Sequence, residues 1–161
     1  MPENHHAVIR LKKRFGDSIL AVGEFRGEVT LMVAKEDIAG ICAFLKGDMG
    51  YDFLTDITAV DYLGEEPRFV MVYHLCNLSC RERLRLKAPV DESDPFIDSL
   101  VPLWKTANWL EREVFDLFGI TFNNHPDLRR ILLPKEWTGH PLRKDYPLQG
   151  PDREPYKGRL A

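Results

Sequence analysis

The sequence predicts an α+β fold: a two-layer sandwich of a five-stranded mixed sheet with helices, in the order αββαβββ, followed by a long helix and an extended proline-rich C-terminal arm. Three observations carry that expectation. Runs of alternating apolar residues, interrupted by stretches of helical period, fill residues 4–88. One strongly amphipathic helical pattern follows and ends at Gly119. Residues 119–161 then hold six of the eleven prolines and no sustained apolar period.

In chain order, residues 4–15 read as a helix, with Ala7, Val8, Leu11 and Phe15 on one side and Gly16 closing it. Residues 18–25 and 28–34 read as paired strands turning at Arg26-Gly27, with Val29, Leu31 and Val33 inward. Residues 36–46 give a second helix through Ile38, Ile41, Cys42 and Leu45, stopping at Gly47. Strands follow over 53–62, 68–76 and 81–88, with Phe69, Met71, Tyr73 and Leu75 sharing one face. In the last of these, Leu84 and Leu86 point inward while Arg81, Arg83, Arg85 and Lys87 line the other side. That basic row is either a solvated face that discourages edge pairing or a docking stripe for an acidic partner. The expected organisation is an α+β body over residues 1–90, a linker and organising helix over 91–118, and a partner-docking arm over 119–161.

In the long helix Ser99 is the expected N-cap, Pro102 falls in the first turn, and Gly119 supplies a left-handed C-cap. Leu103, Trp104, Ala107, Leu110, Val114, Phe115, Leu117 and Phe118 form the core stripe. Two residues break this order. Glu111 projects into the stripe, and Trp109 stands on the polar side with Lys105, Arg112, Glu113 and Asp116. A carboxylate among apolar side chains must be paired or neutralised, which points to an arginine for Glu111. Trp109 needs cover, from the chain's own arm or from a partner surface.

Composition narrows the function. At 161 residues, one domain with an appendage is the default. No apolar run approaches the ~18 residues of a membrane span, and the start, Met1-Pro2-Glu3-Asn4-His5-His6, has no apolar signal core. The chain is therefore expected to be cytoplasmic and to reach a membrane only through partners. Net charge is −3, laid out unevenly: residues 1–118 carry 14 Lys+Arg against 20 Asp+Glu, and residues 119–161 carry 8 against 5. An acidic body with a basic arm is not the footprint of a nucleic-acid binder. Cys42, Cys76 and Cys80 fit reduced thiols; even with His74 they lack the ligand spacing of structural zinc or the cysteines of an iron–sulfur cluster, so no metal ligand is expected. Glu111, Glu113 and Asp116 do not make a catalytic pair, because Glu113 lies about 160° from Glu111 on a helix. His125 and His140 each precede a proline and are expected to shape the arm. No catalytic residue is expected.

The runs ANWLEREVFDLFGITF, HPDLRRIL and GHPLRKDYP, preceded by LTDITAVDY from Leu54 to Tyr62, resemble the signature of the 30-kDa subunit family (the C subunit) of the proton-pumping NADH:quinone oxidoreductase, respiratory complex I or NDH-1. The resemblance covers roughly residues 50–148. One departure is Asn123-Asn124, where relatives often have a glycine before His125. The resemblance implies a non-catalytic subunit of the hydrophilic arm, set against the large 49-kDa-type subunit and other hydrophilic-arm subunits at the cytoplasmic face of the bacterial inner membrane. It implies no cofactor in this chain, with FMN, iron–sulfur clusters and quinone in partner subunits. Its signature falls on Trp109, Glu111, Arg112, Glu113, Asp116, His125, Arg129, Arg130, His140, Arg143, Lys144, Asp145 and Tyr146, which are expected to bind partners. Related arms occur in the photosynthetic-type complex, membrane-bound hydrogenase and coenzyme F420 dehydrogenase. A stand-alone carboxylate enzyme and an adaptor outside respiration are the readings from other classes.

Overall fold

A computed structural model describes residues 2–148; of the arm expected over 119–161, residues 149–161 lie outside the described residues. The elements are α1 (His6–Phe15), β1 (Ile19–Phe25), β2 (Glu28–Val33), α2 (Ile38–Met49), β3 (Phe53–Asp61), β4 (Phe69–Asn77), β5 (Glu82–Val90), β6 (Phe96–Asp98), α3 (Ala107–Phe118) and β7 (Thr121–Asn123). Up to β5 this is the expected αββαβββ order. The five-stranded sheet runs β1-β2-β5-β4-β3. Only β2 and β5 pair in parallel; the other neighbours are antiparallel, so the sheet is mixed.

Two-residue periodicity fixes which face is covered. Val29, Leu31 and Val33 of β2 and Leu84, Leu86, Ala88 and Val90 of β5 are buried, alternating with more exposed neighbours. They join Phe69, Met71, Tyr73 and Leu75 of β4 in one core. Val8 and Leu11 of α1, Ile41 and Leu45 of α2, and Val114 and Phe118 of α3 close it. Each such side chain stabilises the fold by about 1.5–3 kcal/mol through removal from water. Of the basic row, Arg81 is not on β5 but in the preceding turn at φ +58. Arg85 is tied to Glu28 and Thr30 of β2.

Two helix boundaries differ from expectation. The second helix continues through Gly47 to Met49, because Gly50, at φ +74, is the left-handed cap whose N–H reaches back to Leu45 O. The long helix begins at Ala107 rather than after Ser99. Ser99 instead follows β6, its N–H donating to Asn123 O at 2.9 Å. Residues 100–106 turn tightly so that Trp104 enters the core and donates from Nε1 to Asp52 O at 3.0 Å. The parallel pair β6–β7 was not foreseen. It brackets α3: β6 enters before it and β7 leaves immediately after it, so both ends of the helix are fixed.

Candidate functional site

An α-helix leaves its last four carbonyls without intrahelical partners. In α3 the following segment supplies every missing donor. Phe115 O accepts from Gly119 N at 2.9 Å. Asp116 O accepts from Arg130 Nη1 at 3.1 Å and His140 Nδ1 at 2.9 Å. Leu117 O accepts from Leu142 N at 3.0 Å, and Phe118 O from Arg143 Nε at 2.5 Å. Two guanidinium groups at a helix C-terminus also complement its negative dipole end. The wrap needs a glycine at its pivot. Gly119 has φ +77, and a Cβ there would lie 2.7 Å from the His140 ring and 2.9 Å from Arg143 Nη2.

Asp116 anchors this wrap from the side of α3 that faces away from the core stripe. Its Oδ1 accepts from Arg130 Nη1 at 2.6 Å, and its Oδ2 from the N–H groups of Ile131, Leu132 and Leu133 at 3.0, 2.8 and 2.9 Å. Burial alone raises its pKa, but the Leu133 N–H, the Arg130 guanidinium and the other two N–H groups outweigh it and hold the carboxyl below its ordinary value. Arg112 adds bonds to Arg129 O at 3.0 Å and Arg130 O at 3.1 Å, and Arg130 Nη2 reaches Gly139 O at 3.1 Å. Tyr146 packs its ring on Gly139, where a Cβ would come within 2.8 Å.

Glu111 is fully buried, and among the described residues its hydrogen-bond partners are Ser99 and Leu100 rather than an arginine. Ser99 Oγ donates to Oε2 and Leu100 N–H to Oε1, each at 2.6 Å, while His125 Nε2 stands 3.9 Å away. These are neutral donors, so burial prevails and pushes the Glu111 carboxyl up to about 7, against the pull of both hydrogen bonds. Neutral hydrogen-bond donors thus stand where the sequence pointed to a cation. His125, its side chain buried, accepts from Asp127 N–H through Nδ1 at 3.0 Å and is left to donate from Nε2 to Asn108 O at 3.2 Å. Asn124 takes φ +61, a left-handed turn that asparagine tolerates and that glycine would adopt freely.

A second clamp was missed in the sequence. Arg68, 4% exposed, forks onto Asp61 with two bonds of 2.9 Å. It also meets Asp145 at 2.8 and 3.2 Å, and Glu92. The Lys144 N–H donates to Asp61 Oδ2 at 2.8 Å. The Arg68 bond holds Asp61 and Asp145 below the ordinary carboxylate range and raises Arg68 itself. Arg143 stacks over the Phe69 ring at 5.2 Å. The overlooked signal was Asp61: it continues the inward-facing positions of Ile57 and Ala59, and a carboxylate there demands a buried cation.

The remaining expected site residues divide. Among the described residues the Arg129 side chain pairs with Asp127, both exposed. The Lys144 and Glu113 side chains are exposed. Trp109 is 67% exposed, while the arm covers Asp116 further along the same side of the helix.

Residues 31–152 match the family model described as respiratory-chain NADH dehydrogenase, 30 Kd subunit. The chain is 62% identical over 161 residues to the C subunit of NADH-quinone oxidoreductase from Geotalea uraniireducens (strain Rf4), covering 100% of this chain and 98% of that one. It is 62% identical over 162 residues to the C subunit of the same oxidoreductase from Geobacter sulfurreducens, with 100% of each covered. Among solved structures, a trypsin-resistant fragment of Nqo5 aligns with a TM-score of 0.68 and 34% identity, over 76% of this chain and 99% of that one. A chain of the membrane-bound sulfane sulfur reductase, an archaeal respiratory membrane complex, shares the fold, with a TM-score of 0.73 at 23% identity over 88% of this chain and 84% of that one. The resemblance read from the sequence motifs holds: the chain belongs to the family of the 30-kDa subunit of respiratory-chain NADH dehydrogenase.

Proposed function

We propose that this chain is a non-catalytic structural subunit of the hydrophilic arm of a proton-pumping NADH:quinone oxidoreductase. In this reading it docks on the large 49-kDa-type subunit at the cytoplasmic face of the membrane and holds that neighbour in place. Flavin, iron–sulfur clusters and quinone belong to other subunits. The observation that supports it most is how the signature side chains are used. Asp116, Arg130, His140 and Arg143 bind backbone groups of their own chain, while Trp109 beside them is left bare. Such an arrangement makes a rigid support with an exposed aromatic anchor, the residue type most enriched at binding hot spots. No described helix is long and apolar enough to cross a membrane.

The test is affinity purification of the tagged chain from cells that make the whole complex, followed by mass spectrometry. Recovery of the large subunit and its neighbours is expected, with NADH:quinone turnover only in the co-purified assembly. A chain that purifies alone, or that turns over NADH or quinone unaided, would overturn the reading.

A further inference from the structure

His5 and His6 sit far from α3, at the opposite end of the sequence, and take no part in the wrap. His5 is the N-cap of α1; its Nδ1 accepts from Ala7 N–H at 3.3 Å, which aims Nε2 at Glu82 Oε1, 3.0 Å away. His6 brings Nδ1 to 3.6 Å from Glu82 Oε2. The two rings are stacked, with centroids 5.0 Å apart and planes at 28°. Glu82 opens β5, and its Oε1 accepts a hydrogen bond from the hydroxyl of Tyr51, a fully buried residue just beyond α2. One donor atom from each of His5, His6 and Glu82 lies within 4.8 Å of the other two, and among the described residues no other trio of His, Cys, Asp or Glu does this.

We propose that His5, His6 and Glu82 bind a divalent transition-metal ion, Zn²⁺ in the first instance, with water completing the coordination. Two imidazoles and one carboxylate are a donor set that suits Zn²⁺ with an open position. Ligand atoms around a tetrahedral Zn²⁺ lie about 3.3 Å apart, given metal–ligand distances near 2.0–2.1 Å. The nitrogen-to-carboxylate separations of 3.0 and 3.6 Å bracket that spacing. Tyr51 supplies the outer hydrogen bond that orients a ligating carboxylate. Coordination through His5 Nε2 places the ring proton on Nδ1, so the ion replaces both the long bond from Ala7 N–H and the contact of Nε2 with Glu82 Oε1. The ion would tie the first turn of α1 to the start of β5. Among the described residues, His74, Cys76 and Cys80 bring no complete ligand set together.

The experiment is calorimetric titration of the full-length, tag-free protein with zinc chloride, alongside thermal melts with and without the ion. One equivalent of Zn²⁺ should bind and raise the melting temperature. His6→Gln, at a side chain 56% exposed, should weaken binding about tenfold or more without disturbing the fold, and Tyr51→Phe should weaken it about 10–100-fold. Cys80→Ser, which removes the exposed thiol 3.9 Å from Glu82, should leave binding intact. The proposal fails if no stoichiometric binding is seen, if binding survives the joint replacement of His5 and His6 by Gln, or if Cys80→Ser alone abolishes it. The His6→Gln result decides the matter even if Tyr51→Phe does not fold.

Discussion

Asp116 and Arg130 face each other at 2.6 Å on the side of α3 opposite the core stripe, and the second carboxylate oxygen gathers three successive backbone N–H groups from the residues that follow Arg130. A single carboxylate thus folds a turn of otherwise irregular chain. Asp116→Ala leaves the Arg130 guanidinium without its carboxylate and three amides without their acceptor, and loss of one partner of a buried pair costs about 3–5 kcal/mol. Amide exchange at Ile131, Leu132 and Leu133 should accelerate well before the sheet amides do. Protection unchanged at those three positions would show that Asp116 is not what orders the segment.

Glu111 predicts an opposite sign of pH dependence from the aspartates. Its folded pKa of about 7 lies above the ordinary 4.5, so the native state binds more protons than the unfolded chain between those values. Stability from this group therefore falls as pH rises from about 4.5 through 7. Asp61, Asp116 and Asp145 are lowered in the fold, so their contribution is present above the ordinary aspartate range and is lost on acidification below it. Glu111→Gln keeps an acceptor for Leu100 N–H and removes the titration. Urea melts across this range should show the variant losing less stability than the parent above pH 6; parallel curves would mean Glu111 does not carry the slope.

The body of the fold was legible because its elements are bounded by local rules. Alternation placed β2, β4 and β5, and 3–4 spacing placed α1 and α2. Where prediction slipped, two local signals competed or the decisive contact was distant. Gly47 and Gly50 both offer a helix stop, but only Gly50 adopts the left-handed turn. Ser99 has the chemistry of an N-cap, yet its hydroxyl donates to Glu111, twelve residues on, instead of accepting from the first helical turn. Asp116 does lie opposite the core stripe, as the helical wheel places it, but a wheel cannot show a second covering layer. Arg130 and the backbone of 131–133 provide that layer. The β6–β7 pair is three residues on each side and joined only through a 22-residue detour, too short and too non-local for periodicity to reveal.

Gly119→Ala tests the pivot of the wrap. A non-glycine residue in the left-handed region costs about 1–2 kcal/mol in backbone alone. The added Cβ would also meet the His140 ring at 2.7 Å and Arg143 at 2.9 Å. Both side chains cap α3 carbonyls, so displacing them releases more than the local strain. Limited proteolysis should cut the variant near 139–146 while α1 to β5 stay intact. Resistance equal to the parent would show that the loop can shift without losing its caps.

Trp109 separates folding from assembly. At 67% exposure it stabilises the isolated chain little, so Trp109→Ala should change the melting midpoint by no more than a typical surface substitution, within about 0.5 kcal/mol. Hot-spot tryptophans at interfaces cost about 2 kcal/mol or more when truncated, which corresponds to roughly thirtyfold in affinity. Pull-down of the partner complex by the variant should therefore drop sharply while its melt does not. Normal recovery would place the docking surface elsewhere on the chain.

Arg68 and Asp61 test whether the second clamp is cooperative. Arg68→Met strands the Asp61 carboxylate, whose side chain is almost wholly buried, and removes the anchor of Asp145 at the same time. The expected loss is about 3–5 kcal/mol near neutral pH, where the stranded carboxylate is charged. Below the ordinary aspartate range the loss should shrink, because a protonated Asp61 no longer needs the guanidinium. Replacing both members of a buried pair with apolar residues can be nearly neutral, so the double variant Asp61→Leu with Arg68→Met should recover part of the stability. It should not recover all of it, since Asp61 also holds the Lys144 N–H and Arg68 the Asp145 carboxylate. A double-mutant cycle in urea should give a coupling energy of about 0.5–3 kcal/mol. Strict additivity would instead mean that the body and the segment from His140 onward are held by the α3 carbonyl caps alone.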